Sequence, residues 1–170
     1  MAETELRAIS QADGLDVYDM LQSLPKDENG FMNGTGGKTY EEYKEWIKAK
    51  VAESLQEGIV DGYRVPQTTY WLYVDGKPVG MGKLRRFLTD TLKVAGGHIG
   101  YAIAPQYRGK GYGKLILKLL LEEAKRIGLG EVLLTIHTDN AASLSVAKAN
   151  GGQVEKEENG RYYVWISTDR

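Results

Sequence analysis

Apolar side chains recur along this chain at two periods, and the switch between them divides it into elements. Glu5 to Ile9 reads as a short strand. Leu15, Val17, Tyr18 and Leu21 then follow helical spacing, which ends ahead of Pro25. Residues 26–38 are polar and glycine-rich and predict a flexible loop. Thr39 and Glu42 have the spacing of a capping box, in which each side chain satisfies the other's backbone N–H. Behind them Tyr43, Trp46, Ile47, Val51 and Leu55 form the apolar stripe of a long helix, with Gly58 as its expected end.

Beyond Pro66 the period falls to two. Residues 69–74 are aromatic and β-branched, and with 78–87 they predict a hairpin closed by Asp75-Gly76. His98 to Ala104 is a further strand, stopped by Pro105. Tyr112, Leu115, Ile116, Leu119, Leu120, Ala124 and Ile127 predict the buried stripe of another helix, with Lys114, Lys118 and Glu122 on its wet face. Gly128 and Gly130 end it, and Val132 to His137 is an apolar strand. A short helix after Asn140 closes at Asn150-Gly151-Gly152, and two last strands flank Glu158-Asn159-Gly160. Tyr70, Trp71, Tyr73, Tyr162, Tyr163 and Trp165 fall on these strands as core or cross-strand residues. The order β-α-α-β-β-β-α-β-α-β-β predicts a mixed α/β (α+β) fold in a single domain, 1–170.

Composition narrows the chemistry. The chain has no cysteine, which excludes disulfides and cysteine-ligated metal and fits a reducing compartment. Its 22 basic and 23 acidic side chains are too balanced for the polyanion-binding surface of a nucleic-acid protein. No apolar run approaches the ~20 residues of a membrane span. The N-terminal Met-Ala-Glu-Thr-Glu-Leu-Arg lacks the order of a secretory signal. The expectation is a cytoplasmic protein with neither nucleic-acid nor membrane partners.

Three glycine clusters suggest phosphate chemistry, and two of them fail on spacing. Gly34 to Thr39 resembles a P-loop, but Met32 stands where the first glycine belongs and no strand precedes it. Gly109-Lys-Gly-Tyr-Gly113 resembles a dinucleotide fingerprint, but its third glycine is replaced by Lys114. Read instead as Gln106-Tyr-Arg-Gly-Lys-Gly-Tyr-Gly113, the same segment joins a strand end to a helix start. Successive N–H groups then converge at the positive end of the helix dipole, a site for a pyrophosphate. Arg108, Lys110 and Lys114 add positive charge beside it.

Tyr101 to Lys114 resembles the acetyl-CoA motif of the GNAT superfamily of N-acetyltransferases, Arg/Gln-x-x-Gly-x-Gly/Ala. Thr138 to Ser143 and Asn150-Gly-Gly152 are similar to the family's Asn-x-x-Ala/Ser and closing Asn-Gly segments, and 65–71 and 96–101 resemble a bacterial branch of predicted acetyltransferases. The resemblance implies a GNAT-like, mostly antiparallel central sheet of six to seven strands with helices on both faces. It implies acetyl-CoA as co-substrate, an amine acceptor, no metal and, by family habit, a homodimer. The backbone of Tyr101, Ala102 and Ile103 would pair with the pantetheine arm. Amides of Gly109, Lys110, Gly111, Tyr112, Gly113 and Lys114 would hold the pyrophosphate beside Arg108, and Asn140 and Ser143 would contact the arm's far side. A splay between the 98–104 and 132–137 strands would open the slot.

Transfer to an amine needs a proton acceptor, because a lysine-type amine has a pKa near ~10.4, together with donors for the oxyanion and an acid for the thiolate. The family's usual acid is a tyrosine in the short helix after Asn140, and the register puts Ala147 there. Ser143, water or a tyrosine from elsewhere are the alternatives, as is unassisted departure of the thiolate, since a thiol's pKa is only about 8.5. His98 and His137 are the candidate bases, each with a second reading as a hydrogen-bonded structural residue. Thr135 stands where other relatives carry a glutamate. Arg85-Arg86 would bind an acceptor carboxylate or form a solvated strand end. The missing tyrosine keeps open a second function, an acyl-CoA-binding module without strong catalysis.

Overall fold

In a computed structural model, the structure describes residues 2–25, 27–28, 31–55, 62 and 65–169. In chain order it holds β1 (Thr4–Ala8), α1 (Leu15–Ser23), β2 (Asp27–Glu28), β3 (Phe31–Met32), α2 (Tyr40–Leu55), β4 (Gln67–Val74) and β5 (Lys77–Arg85). Then come α3 (Asp90–Val94), β6 (Ile99–Ile103), a 3-10 turn (Pro105–Tyr107), α4 (Tyr112–Arg126), β7 (Glu131–His137), α5 (Ala141–Ala149), β8 (Gln153–Glu158) and β9 (Arg161–Ser167). Every element expected from the sequence is present, and β2, β3 and α3 are additions. Gly58, the expected end of α2, lies outside the described residues.

Local chemistry accounts for most of the boundaries. Thr39 N–H donates to Glu42 Oε1 at 2.9 Å and Glu42 N–H donates to Thr39 Oγ1 at 3.2 Å, which completes the capping box of α2. Asp75 and Gly76, at φ 49° and 78°, make the left-handed corner joining β4 to β5. Within the described part of the glycine-rich segment ahead of α2, Asn33 and Thr35 are pinned, where a flexible loop was expected. Asn33 and Thr35 are buried. Asn33 Nδ2 donates to the Leu21 carbonyl at 2.7 Å, and Thr35 Oγ1 donates to Asn33 Oδ1 at 2.6 Å.

The strands form a four-stranded sheet, β1-β4-β5-β6, and a three-stranded sheet, β7-β9-β8, with antiparallel neighbours throughout. Alternation along β4 divides the core. Tyr70, Leu72 and Val74 face α4 with Ile99, Ile103 and Leu120, while Trp71 and Tyr73 face α1 and α2 with Met81, Val17, Leu21 and Ile47. Helices therefore cover both faces of the larger sheet. No helix among the described residues is long and apolar enough to cross a membrane.

The two sheets meet at the start of β6. His98 N–H donates to the Leu133 carbonyl at 2.8 Å, and Leu133 N–H donates back to His98 Nδ1 at 2.9 Å. Gly97, just before, has φ +61°, and a Cβ there would lie 2.4 Å from the Leu133 carbonyl oxygen. Only glycine fits this close approach. Gly97→Ala is expected to lose more than about 2 kcal/mol, from left-handed strain and the backbone clash together. Urea unfolding measures the loss, and an unchanged midpoint would refute it.

Candidate active site

Past β6 the chain folds into a nest of amides. Pro105 opens the 3-10 turn, and Arg108 Nε reaches back to the Ile103 carbonyl at 2.9 Å, fixing the entry to the loop. Gly109 and Gly111 have φ +79° and +83°, and a Cβ at either would meet nothing within 4 Å. The loop therefore demands glycine for its backbone angles rather than for room inside the chain. Gly111 is the N-cap of α4 and offers no side chain to its first turn. The leading N–H groups of a 15-residue helix, with the positive end of its dipole, are left to whatever lies in front of them.

What lies in front is a cavity of about 400 Å³. Tyr101, Ala102 and Ile103 of β6 form one wall. Arg108, Gly109, Gly111, Tyr112, Gly113 and Lys114 form the end, and Asn140 and Ser143 close the far side. All the residues expected at a cofactor are brought together here except Lys110, which lies on the exposed outer side of the loop and off the cavity wall. Tyr107, Ala142 and Val146 also line it and were missed. Val146 could have been found, since it follows Ser143 by three residues and so shares its helix face. Tyr107 and Ala142 gave no such signal.

Asn140 is held firmly. Its Oδ1 accepts from Ser143 N–H at 3.2 Å, capping α5, while its Nδ2 donates to Ser143 Oγ at 3.0 Å. Asn150 Nδ2 donates to the carbonyls of Lys114 at 3.3 Å and Val146 at 3.1 Å, which locks α5 to α4. Ala147 lies fully buried beneath. On the opposite wall burial raises the Tyr101 phenol above its ordinary pKa, and the Ser143 hydroxyl opposes that rise.

Neither histidine lines the cavity. His98 is buried between the sheets with Nδ1 engaged by Leu133, so its neutral ring carries the hydrogen on Nε2. Burial, seconded by Arg85, pushes its pKa down to about 4. His137 is half-buried at the end of β7, opposite Arg161. The arginine pair is not a solvated strand end. Arg85 Nη1 donates to the carbonyls of Gly96 at 3.3 Å and Gly97 at 3.2 Å, and Arg86 Nη2 to those of Ser54 at 2.9 Å and to Thr68 Oγ1 at 3.1 Å. Lys83, on β5 opposite Gly100 of β6, holds its ammonium 4.8 Å from the Phe31 ring centroid, and burial pushes its pKa down to about 8. The alternation that puts Lys83 on the α2 face was legible in the sequence, but its burial was not.

The His98 geometry has a measurable consequence. A histidine whose folded pKa lies near 4 rather than 6.5 contributes stability that is complete above pH 6.5 and lost as pH falls through 4. The contribution is of the order of 3 kcal/mol. His98→Gln keeps an acceptor for Leu133 N–H but does not titrate. Its unfolding free energy is expected to vary less across that pH range than the parent's, and equal slopes would contradict the assignment.

The model of the Acetyltransferase (GNAT) family matches residues 30–151. L-2,4-diaminobutyric acid acetyltransferase from Nocardia farcinica is 35% identical over 98 residues, covering 54% of this chain and 49% of that protein. The uncharacterized N-acetyltransferase YfmK of Bacillus subtilis is 39% identical over 61 residues, 36% of this chain and 41% of that one. The chain therefore spans about half or less of the curated relatives it matches. Among solved structures, the ribosomal L7/L12 alpha-N-protein acetyltransferase RimL in complex with coenzyme A has a TM-score of 0.70 at 18% identity, over 98% of this chain and 96% of that one. Ribosomal-protein-S5-alanine acetyltransferase from Vibrio fischeri gives 0.70 at 18%, over 98% and 93%. These two likenesses speak to the fold.

Proposed function

Because this chain belongs to the acetyltransferase (GNAT) family, we propose that it is a cytoplasmic, single-domain N-acetyltransferase that moves acetyl from acetyl-CoA to a primary amine of a small molecule or peptide. The observation that carries the reading is the uncapped start of α4, opening into a cavity whose side wall is the free edge of β6. The fit to acetyl-CoA is chemical. The N–H groups of residues 112–114, with Arg108 and Lys114, suit a pyrophosphate. β6 is the last strand of its sheet, so the outer edge of Tyr101 to Ile103 suits the amides of a pantetheine arm. Bound there, acetyl-CoA would supply an activated thioester.

The chain's own residues then orient and stabilise. A β6 amide would face the thioester oxygen and stabilise the oxyanion as the amine attacks. We assign His98 to the joint between the sheets, since its Nδ1 lone pair is already engaged there. His137, at the end of β7, is then the remaining candidate base. The relatives act on amines, a diaminobutyric acid and ribosomal protein termini by their names, and this supports an amine acceptor here. Ala147, which cannot donate a proton, favours one second reading, an acyl-CoA-binding module that does not turn over.

Titration calorimetry with acetyl-CoA, CoA and ATP tests the cavity, and thiol release across an amine panel that includes diaminobutyrate and peptide N-termini tests the reaction. Acetyl-CoA and CoA are expected to bind and ATP to bind far more weakly. Gly113→Glu puts a negative charge at the helix start without the left-handed strain that Gly111→Glu would add. It is expected to cost at least a hundredfold in acetyl-CoA affinity while leaving the circular dichroism unchanged. Undiminished affinity in the folded variant would defeat the site.

A further inference from the structure

With Ala147 at the position expected to protonate the thiolate, any acid for it is another residue. Tyr101 lies on the cavity wall with its ring wedged between α4 and α5. A Cβ built on Gly113 would stand 3.8 Å from Tyr101 Cε2 and 3.8 Å from Val146 Cγ2. Its hydroxyl is enclosed, and no described group partners it within hydrogen-bond geometry. A buried hydroxyl left so is costly, by about 1–3 kcal/mol, and such groups in native chains have a reason.

The facing polar side chain is Ser143, and its orientation is set. Ser143 Oγ already accepts from Asn140 Nδ2 at 3.0 Å, so its own hydrogen is available to Tyr101 Oη. A phenol oxygen that accepts from Ser143 keeps its own hydrogen to donate. The charged groups that line the cavity are Arg108 and Lys114, both positive and at its end, and no carboxylate lines it among the described residues.

We propose that Tyr101 protonates the coenzyme A thiolate, with Asn140 and Ser143 as positioning residues for its hydroxyl. The proposal rests on the N-acetyltransferase reading. The acceptor nitrogen bonds the thioester carbon, the C–S bond breaks, and its electron pair passes to sulfur, which takes the phenol's proton. The acceptor nitrogen sheds one proton as the amide forms, and one proton returned to the tyrosinate by way of Ser143 restores the phenol. Amine and acetyl-CoA thus become amide and free CoA thiol, with nothing left over.

Two measurements decide it. Tyr101→Phe is expected to lower kcat on the best amine of the panel by about a hundredfold, with calorimetric affinity for acetyl-CoA within threefold. Ser143→Ala, which keeps the acid, is expected to lose less. Independently of any acceptor, 3-fluorotyrosine placed at position 101 is expected to give a 19F resonance that shifts differently with CoA and with desulfo-CoA, which lacks the sulfur. Identical spectra in the two complexes, or a Tyr101→Phe enzyme within twofold of the parent, would overturn the proposal. Calorimetry separates the two levels, since failure of the unmodified chain to bind acetyl-CoA would overturn the underlying reading as well.

Discussion

His98 and Leu133 exchange two hydrogen bonds across the joint of the sheets, and the cavity depends on where that exchange stops. A strand beside another usually continues its ladder, because an unpaired backbone edge is left in need of partners. Here one of the two bonds is made by a side chain. Nδ1 stands in for a backbone carbonyl, and Gly97 brings the chain close enough for the substitution. β6 and β7 belong to separate sheets beyond that point, and among the described strands none pairs with the outer edge of Tyr101 to Ile103. Arg85, bonded to the carbonyls of Gly96 and Gly97, braces the same corner and helps to keep the imidazole neutral.

The local parts of this architecture were legible in the sequence. The capping box of α2, the Asp75-Gly76 corner, the stripe of α4 and the Asn140 cap each depend on residues within four positions of one another. Spacing alone finds them. The glycine loop was legible for the same reason, since alternating glycines before an apolar stripe can be read without knowing what packs on them. α3 escaped because its five residues are too short to show a period, although Thr89 caps it by accepting from Leu92 N–H.

Long-range pairings were not legible. His98 bonds a residue 35 positions away, and its sequence neighbours give no hint that its lone pair is committed. A histidine beside a slot strand reads as a base until its partner is seen. Asn33 and Thr35 sit in a segment of loop composition, yet both are buried, Asn33 donating to the carbonyls at the end of α1 and Thr35 to Asn33 Oδ1. Arg85 and Arg86 misled in the same way, and Lys83 gave no signal at all of its burial. Charge marks a side chain for the surface or for a ligand, and only the fold shows backbone carbonyls and an aromatic ring meeting it instead.

Overall charge also conceals what the cavity does. The chain carries a net charge of −1, which gives no reason to expect anion binding. Yet the cavity gathers two cations and the positive end of a 15-residue helix, with no carboxylate among its described lining residues. Fields in a cleft follow the groups that face it rather than the sum over the surface. At one end the field suits a pyrophosphate through amides that no side chain caps. On the side wall, Tyr101 is the neutral donor proposed for the leaving sulfur. The two demands, holding an anion and discharging one, are met by α4 and α5, which the Asn150 bonds to Lys114 and Val146 keep in fixed relation.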